Sequence, residues 1–216
     1  MTNTYKPSIL TSLRAVIPQR EVSFLEALQT AEIQAAKLAD LIGDERGILE
    51  HHITGLPRIV VIRESIPVSG MSYWNGRHWV IVLSGREPSV RQRFTLLHEF
   101  KHIVDHGYTG HLYRTTDRKT AAEQAEAAAD YFAGCALVSK RSLKAAWGNG
   151  IQRVADLASH FGVSEPAIRV RLAQTGLDKT DDAPLASRCA RPIHTEHYDR
   201  QRFIRAPRST PRRSYA

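Results

Sequence analysis

The chain has 216 residues, a formal net charge of +8 and two cysteines. That length is enough to bury a core in one or two domains. No apolar run approaches the roughly 20 residues of a membrane span, and two cysteines cannot build a disulfide framework or a four-cysteine zinc site. A reducing, cytoplasmic setting without membrane contact is the expectation.

The first residues, Met1-Thr-Asn-Thr-Tyr-Lys, lack a secretory pattern, and residues 1–20 read as an N-terminal leader. Ser23-Phe-Leu-Glu26 has the form of a capping box and Gly43 that of a C-terminal stop. Between them Leu25, Leu28, Ile33, Leu38, Leu41 and Ile42 predict an amphipathic helix. A shorter helix is expected from Glu45 to Ile53, ahead of Gly55-Leu-Pro57. His51 and His52 fall in it, and neighbouring side chains on a helix diverge by about 100°, so the pair reads as non-ligands.

Arg58-Ile-Val-Val-Ile-Arg-Glu64 is strand-like. Ser72-Tyr-Trp74, Asn75-Gly76 and Arg77 to Leu83 then read as a two-residue hairpin. A small antiparallel sheet is expected, and its hairpin is a candidate platform for an extended peptide. Tyr73, Trp74 and Trp79 could equally be packing residues.

Residues 89–106 contain no Gly or Pro, and Phe94, Leu96, Leu97, Phe100, Ile103 and Val104 recur at helical spacing. Gly107 follows as a stop. Within this helix lies His98-Glu99-Phe100-Lys101-His102. Imidazoles four residues apart share a helix face, about 6 Å apart along the axis, and can converge on one Zn²⁺. Glu99 points to the side, as suits a general base. His106 lies about 12 Å along the axis from His98, too far to share the ion. A third ligand from a later His after a helix-breaking Gly also fails, because Asp105 and Tyr108 hold those positions.

A carboxylate from the next helix remains. Residues 120–138 are Ala-rich and helix-forming, with Glu123, Glu126 and Asp130 as the acids. Glu126 and Asp130 share a face. One could bind a metal while the other orients an imidazole.

Arg93-Phe-Thr-Leu-Leu-His-Glu-Phe-Lys-His102, followed by Glu126-Ala-Ala-Ala-Asp-Tyr-Phe-Ala133 and a short apolar run, resembles the ImmA/IrrE family of metallo-endopeptidases over roughly residues 20 to 177. The resemblance implies a zincin-like α+β fold with one Zn²⁺ held by His98, His102 and Glu126. It makes Glu99 the catalytic base and Asp130 the brace of a ligand imidazole. It also implies a regulatory peptidase whose substrate is a helix-turn-helix repressor controlling a stress response or a mobile element. The family's Met-Pro is Val138-Ser139 here, and Lys101 stands where Gly is common; a slightly different helix surface is expected from the latter.

Beyond Ser142 to Trp147, residues 154–172 read as helix, Gly162-Val-Ser164 turn and second helix, a helix-turn-helix-like pair. Its second helix opens with Glu165 and Pro166, a poor surface for base edges, so packing or partner docking competes with DNA contact. Residues 187–216 carry eight Arg against Glu196 and Asp199. This basic tail is expected to be disordered, available to nucleic acid or an acidic partner. The organisation expected is a leader at 1–20, a peptidase core at 21–140, the helix-turn-helix-like segment at 141–177 and the tail at 178–216. The competing reading is a DNA-binding regulator with a structural or inactive zinc site. Against it, structural zinc sites usually close with four ligands.

Overall fold

The computed structural model describes residues 8–44 and 47–177; the basic tail lies outside the described residues. Helix α1 spans Ile9–Arg14, α2 Phe24–Ile42 and α3 Glu50–Thr54. Strands β1 (Ile59–Glu64), β2 (Gly70–Trp74) and β3 (Trp79–Ser84) follow, then α4 (Ser89–Asp105), α5 (Thr109–Leu112), α6 (Ala121–Leu137), α7 (Lys140–Gly148), α8 (Val154–Phe161) and α9 (Glu165–Thr175). The class is α+β.

Local signals explain most boundaries. Ser23 and Glu26 form the capping box of α2, and Thr120 and Glu123 form that of α6. Each leaves fewer orphan N–H groups at a helix start, worth about 1 kcal/mol. Glu123 is thereby accounted for: its carboxylate accepts from the Thr120 N–H and hydroxyl. Ser164 caps α9, with Pro166 in its first turn. Of the helix expected from Glu45 to Ile53, Glu45 and Arg46 lie outside the described residues; α3 itself begins at Glu50, and Gly47 ahead of it takes φ +82°, which turns the chain.

The sheet is mixed rather than wholly antiparallel, with strand order β1-β3-β2. β2 pairs antiparallel with β3, but β1 lies parallel to β3 on the other side. Residues 65–69 carry the chain past the place of β3, so the central strand is the last made. The hairpin closes at Asn75 and His78, with Gly76-Arg77 at its centre, one residue later than expected. Gly76 at φ +93° supplies the positive angle that a primed turn needs.

β3 is buried from Val80 to Ser84, and α4 packs across β2 and β3. Next comes α6, then α2. Ala27, Ala31 and Ala35 of α2 are buried, as are Ala128, Ala129 and Ala133 of α6. Small side chains let such axes approach closely. Phe100, Phe132, Ile81 and Leu83 fill the centre. Burying each contributes about 1.5–3 kcal/mol.

Two arginines tie distant segments to α4. Arg14 donates to the carbonyls of Ile103 and Val104 near the C-terminus of α4, so the stretch expected as a leader contributes a packed helix whose Leu13 is fully buried. Arg93 donates to the carbonyls of Ile48, Phe161 and Gly162. Leu157, Ile168 and Leu172 join the same hydrophobic cluster as Phe100 and Phe132, so the helix-turn-helix-like segment shares the core.

Candidate metal centre

His98 and His102 stand one turn apart on α4, and α6 crosses that helix with Glu126 and Asp130 on the facing side. The Nε2 atoms of His98 and His102 are 3.1 Å apart. The Glu126 carboxylate straddles them, one oxygen 3.2 Å from His98 Nε2 and the other 3.4 Å from His102 Nε2. A tetrahedral ion with bonds of about 2.0–2.1 Å would space its ligand atoms about 3.3–3.4 Å apart. The two imidazole nitrogens, and each of them with one oxygen of Glu126, are therefore near the edge lengths of such a site, and one ligand atom from each residue lies within 4.8 Å of the others.

The tautomers fit as well. Asp130 lies 2.8 Å from His98 Nδ1, and a carboxylate can only accept there, so Nδ1 carries the proton. In the neutral ring the lone pair is then on Nε2, the atom that faces His102 and Glu126. Burial pulls the His98 imidazole down, but the Asp130 hydrogen bond and the charges of Asp130, Glu99 and Glu126 outweigh it, so its pKa lies above the ordinary value. His102 is pushed the other way, first by burial and then by His98. A cation would relieve the crowding of acceptors that these groups create.

Glu99 is buried beside this cluster, with only 8 % exposure. Its Oε2 accepts a hydrogen bond of 2.8 Å from the Ser72 hydroxyl on β2. Gly70, two residues earlier, permits the close approach. A Cβ there would sit 2.5 Å from Thr95 Cγ2, 3.0 Å from the Val82 carbonyl and 3.4 Å from Glu99 Cγ. The sequence points to neither Ser72 nor Gly70, since their partners lie a full strand and helix away.

Lys101 does not alter the helix surface as expected. It is completely buried, with Nζ 2.8 Å from Gln34 and 2.5 Å from Asp105, whose other oxygen accepts from Tyr113. That network occupies the Tyr113 hydroxyl, and the Tyr131 hydroxyl donates to Glu32. His106 caps α4 and packs edge-on against Trp79, away from the other two histidines.

A second group, Asp44, His51 and His52, also brings possible ligand atoms within 4.8 Å of one another. Its chemistry differs. His52 Nδ1 accepts the Leu49 N–H, so Nε2 keeps its proton and points it at Asp44, 3.4 Å away. A metal on Nε2 would require that proton to move to Nδ1 and break the bond that starts α3.

A family model described as Peptidase_M78, IrrE N-terminal-like domain, matches residues 58–173, more than half of the chain. The chain belongs to the Peptidase_M78 family. The match covers the sheet, α4, α6 and the helix-turn-helix-like pair, so the Peptidase_M78 region includes every residue of the cluster. No curated protein matches the chain. Among solved structures it is similar to a Mycobacterium tuberculosis transcriptional regulator, at 17 % identity and a TM-score of 0.47. That alignment covers 77 % of this chain and 52 % of the other, so the chain spans about half the length of that regulator.

Proposed function

We propose that this Peptidase_M78 member is a zinc-dependent endopeptidase of regulatory type. The observation that carries the reading is the convergence of His98, His102 and Glu126, whose ligand atoms lie within 4.8 Å of one another, with the Glu99 carboxylate anchored alongside. A zinc ion bound to these three would supply Lewis acidity, polarising the scissile carbonyl and acidifying a water. Glu99 takes the proton of the attacking water and returns it to the departing amine. Asp130 keeps His98 in the tautomer that offers Nε2. Ser72 holds the Glu99 carboxylate in place.

The edge of β2 supports peptide binding. Asn75 N–H bonds His78 and Ser84 N–H bonds Ser69, and antiparallel pairs alternate, so the N–H and C=O groups of Gly70, Ser72 and Trp74 face away from β3. Among the described residues no strand covers that edge. An extended substrate can add there by main-chain hydrogen bonds.

The substrate class we assign is a helix-turn-helix repressor, as the ImmA/IrrE resemblance implies, in a cytoplasmic stress or mobile-element switch. Among the described residues no helix is long and apolar enough to cross a membrane. A DNA-reading role for α9 has less support: Arg171 is buried and Arg169 pairs with Glu165 at 3.3 Å.

The test is to incubate the zinc-loaded chain with a small helix-turn-helix repressor encoded beside it and to map fragments by mass spectrometry. Cleavage by wild type, with Glu99→Gln keeping zinc but losing about 10²–10⁴ in rate, is expected. An active Glu99→Gln protein would refute the mechanism.

A further inference from the structure

A second concavity adjoins the metal centre and takes no part in the chemistry above. It is a groove of about 600 Å³ running along one stripe of α6, Ala127, Asp130, Tyr131, Gly134 and Leu137. The ten helical steps from Ala127 to Leu137 give it a length of about 15 Å, the span of an extended stretch of about four to five residues. Its far wall is the first half of α9, where Pro166, Ala167 and Val170 face the groove. The N-terminal turns of α4 close one side with Pro88, Val90 and Phe94.

Three observations say what belongs there. First, the groove adjoins the metal centre, because Asp130 both lines it and bonds His98. Second, the walls are mainly apolar, and Val90 and Val170 remain exposed at 37 % and 54 %. Third, the charged groups are unbalanced. Arg91, Lys119 and Arg171 line the groove against a single acid, Asp130, which is committed to His98. Arg171 is 2 % exposed, and its Nη2 has no hydrogen-bond partner, although Nε and Nη1 bond Val138 and Gln174.

We propose that this groove receives the stretch of the substrate next to the scissile bond and selects apolar residues accompanied by Asp or Glu. The proposal rests on the peptidase reading and adds a substrate preference to it. With a peptide in place, α9 (the second helix of the helix-turn-helix-like pair) serves as a wall of the cleft. Apolar walls supply the affinity, and the excess of cations over acids, which remains although Arg91 also pairs with Glu87 at 3.9 Å, discriminates by sign.

The experiment pans a random peptide library displayed on phage over full-length, zinc-loaded Glu99→Gln protein, which binds without cutting. Enriched peptides should carry apolar residues with Asp or Glu and be depleted in Lys and Arg. Lys119→Glu and Val170→Glu, both at exposed positions, should keep zinc content and melting midpoint. Each should weaken the best acidic peptide by about fivefold, the scale of an exposed charge interaction. Enrichment without charge preference, enrichment of basic peptides, or capture indifferent to both substitutions would overturn the proposal. Selected peptides that wild type binds but never cleaves would sink the peptidase reading while leaving the groove assignment standing.

Discussion

The Ser72 hydroxyl donates to Glu99 Oε2 at 2.8 Å, joining the exposed edge strand to the carboxylate beside the histidine pair. One residue thus serves both surfaces: its backbone faces a prospective substrate while its side chain fixes the proposed base. Ser72→Ala should lower the cleavage rate by about tenfold, the value of one charge-assisted hydrogen bond, with zinc content unchanged. A rate within twofold of wild type would show that Glu99 needs no such anchor.

Asp130 acts through His98. Asp130→Asn retains the shape but no longer enforces the same proton position, and zinc affinity should fall about 10–100-fold. Competition with a chromogenic chelator measures this, and an unchanged dissociation constant would remove Asp130 from the site.

Glu126 supplies the carboxylate to the cluster. Zinc should raise the melting midpoint of wild type by mass action, and a concentration of about 100 times the dissociation constant adds about 2.7 kcal/mol. Glu126→Ala should lose most of that increment and bind substoichiometric zinc after dialysis. Full stoichiometry in Glu126→Ala would reassign the third ligand.

Lys101 and Asp105 form a fully buried ion pair behind the histidine face. Lys101→Met leaves the carboxylate uncompensated and should destabilise by about 3–5 kcal/mol in urea unfolding. Lys101→Met with Asp105→Asn should recover much of the loss, since the amide still accepts from Tyr113. No recovery would place the cost in packing instead of charge.

Alkaline pH should weaken the metal-stripped fold. Burial raises Tyr113 first of all, raises Tyr131 to about 12 and raises the Cys135 thiol to about 11. Above their ordinary values the unfolded chain loses protons that the folded chain keeps, so stability falls as pH rises. Lys101 works in the opposite direction, because burial lowers it, but only below its ordinary 10.5. Urea midpoints should therefore drop between pH 10.5 and 12, and Cys135 should resist alkylation until unfolding.

Much of this architecture is readable in the chain because its signals are local. Capping residues, helical periodicity and glycine stops give α2, α4 and α6, and the four-residue spacings put His98 with His102 and Glu126 with Asp130. Non-local choices are not readable in that way. The side of β3 on which β1 lies depends on where residues 65–69 travel, and no periodicity encodes it. The burial of Lys101 depends on Gln34 and Asp105 meeting it from two helices. Ser72 looks like any strand serine until α4 is laid across it. The α3 start at Glu50 is obscured because residues 47–49 carry no side-chain cap, and the positive φ of Gly47 has no signature beyond the glycine itself.

The β1-β3-β2 order carries a consequence for polarity. β2 is the strand whose outer edge lies over Glu99, and it runs opposite to β3. A peptide joining β2 in the antiparallel sense would share the heading of β3, entering beside Trp74 and leaving past Gly70 and Ser69. Arg91, which lines the α6 groove, bonds Ser69 at that exit. The groove would accordingly inspect residues on the carboxyl-terminal flank of the severed bond, and the new amino terminus would be the end released from it.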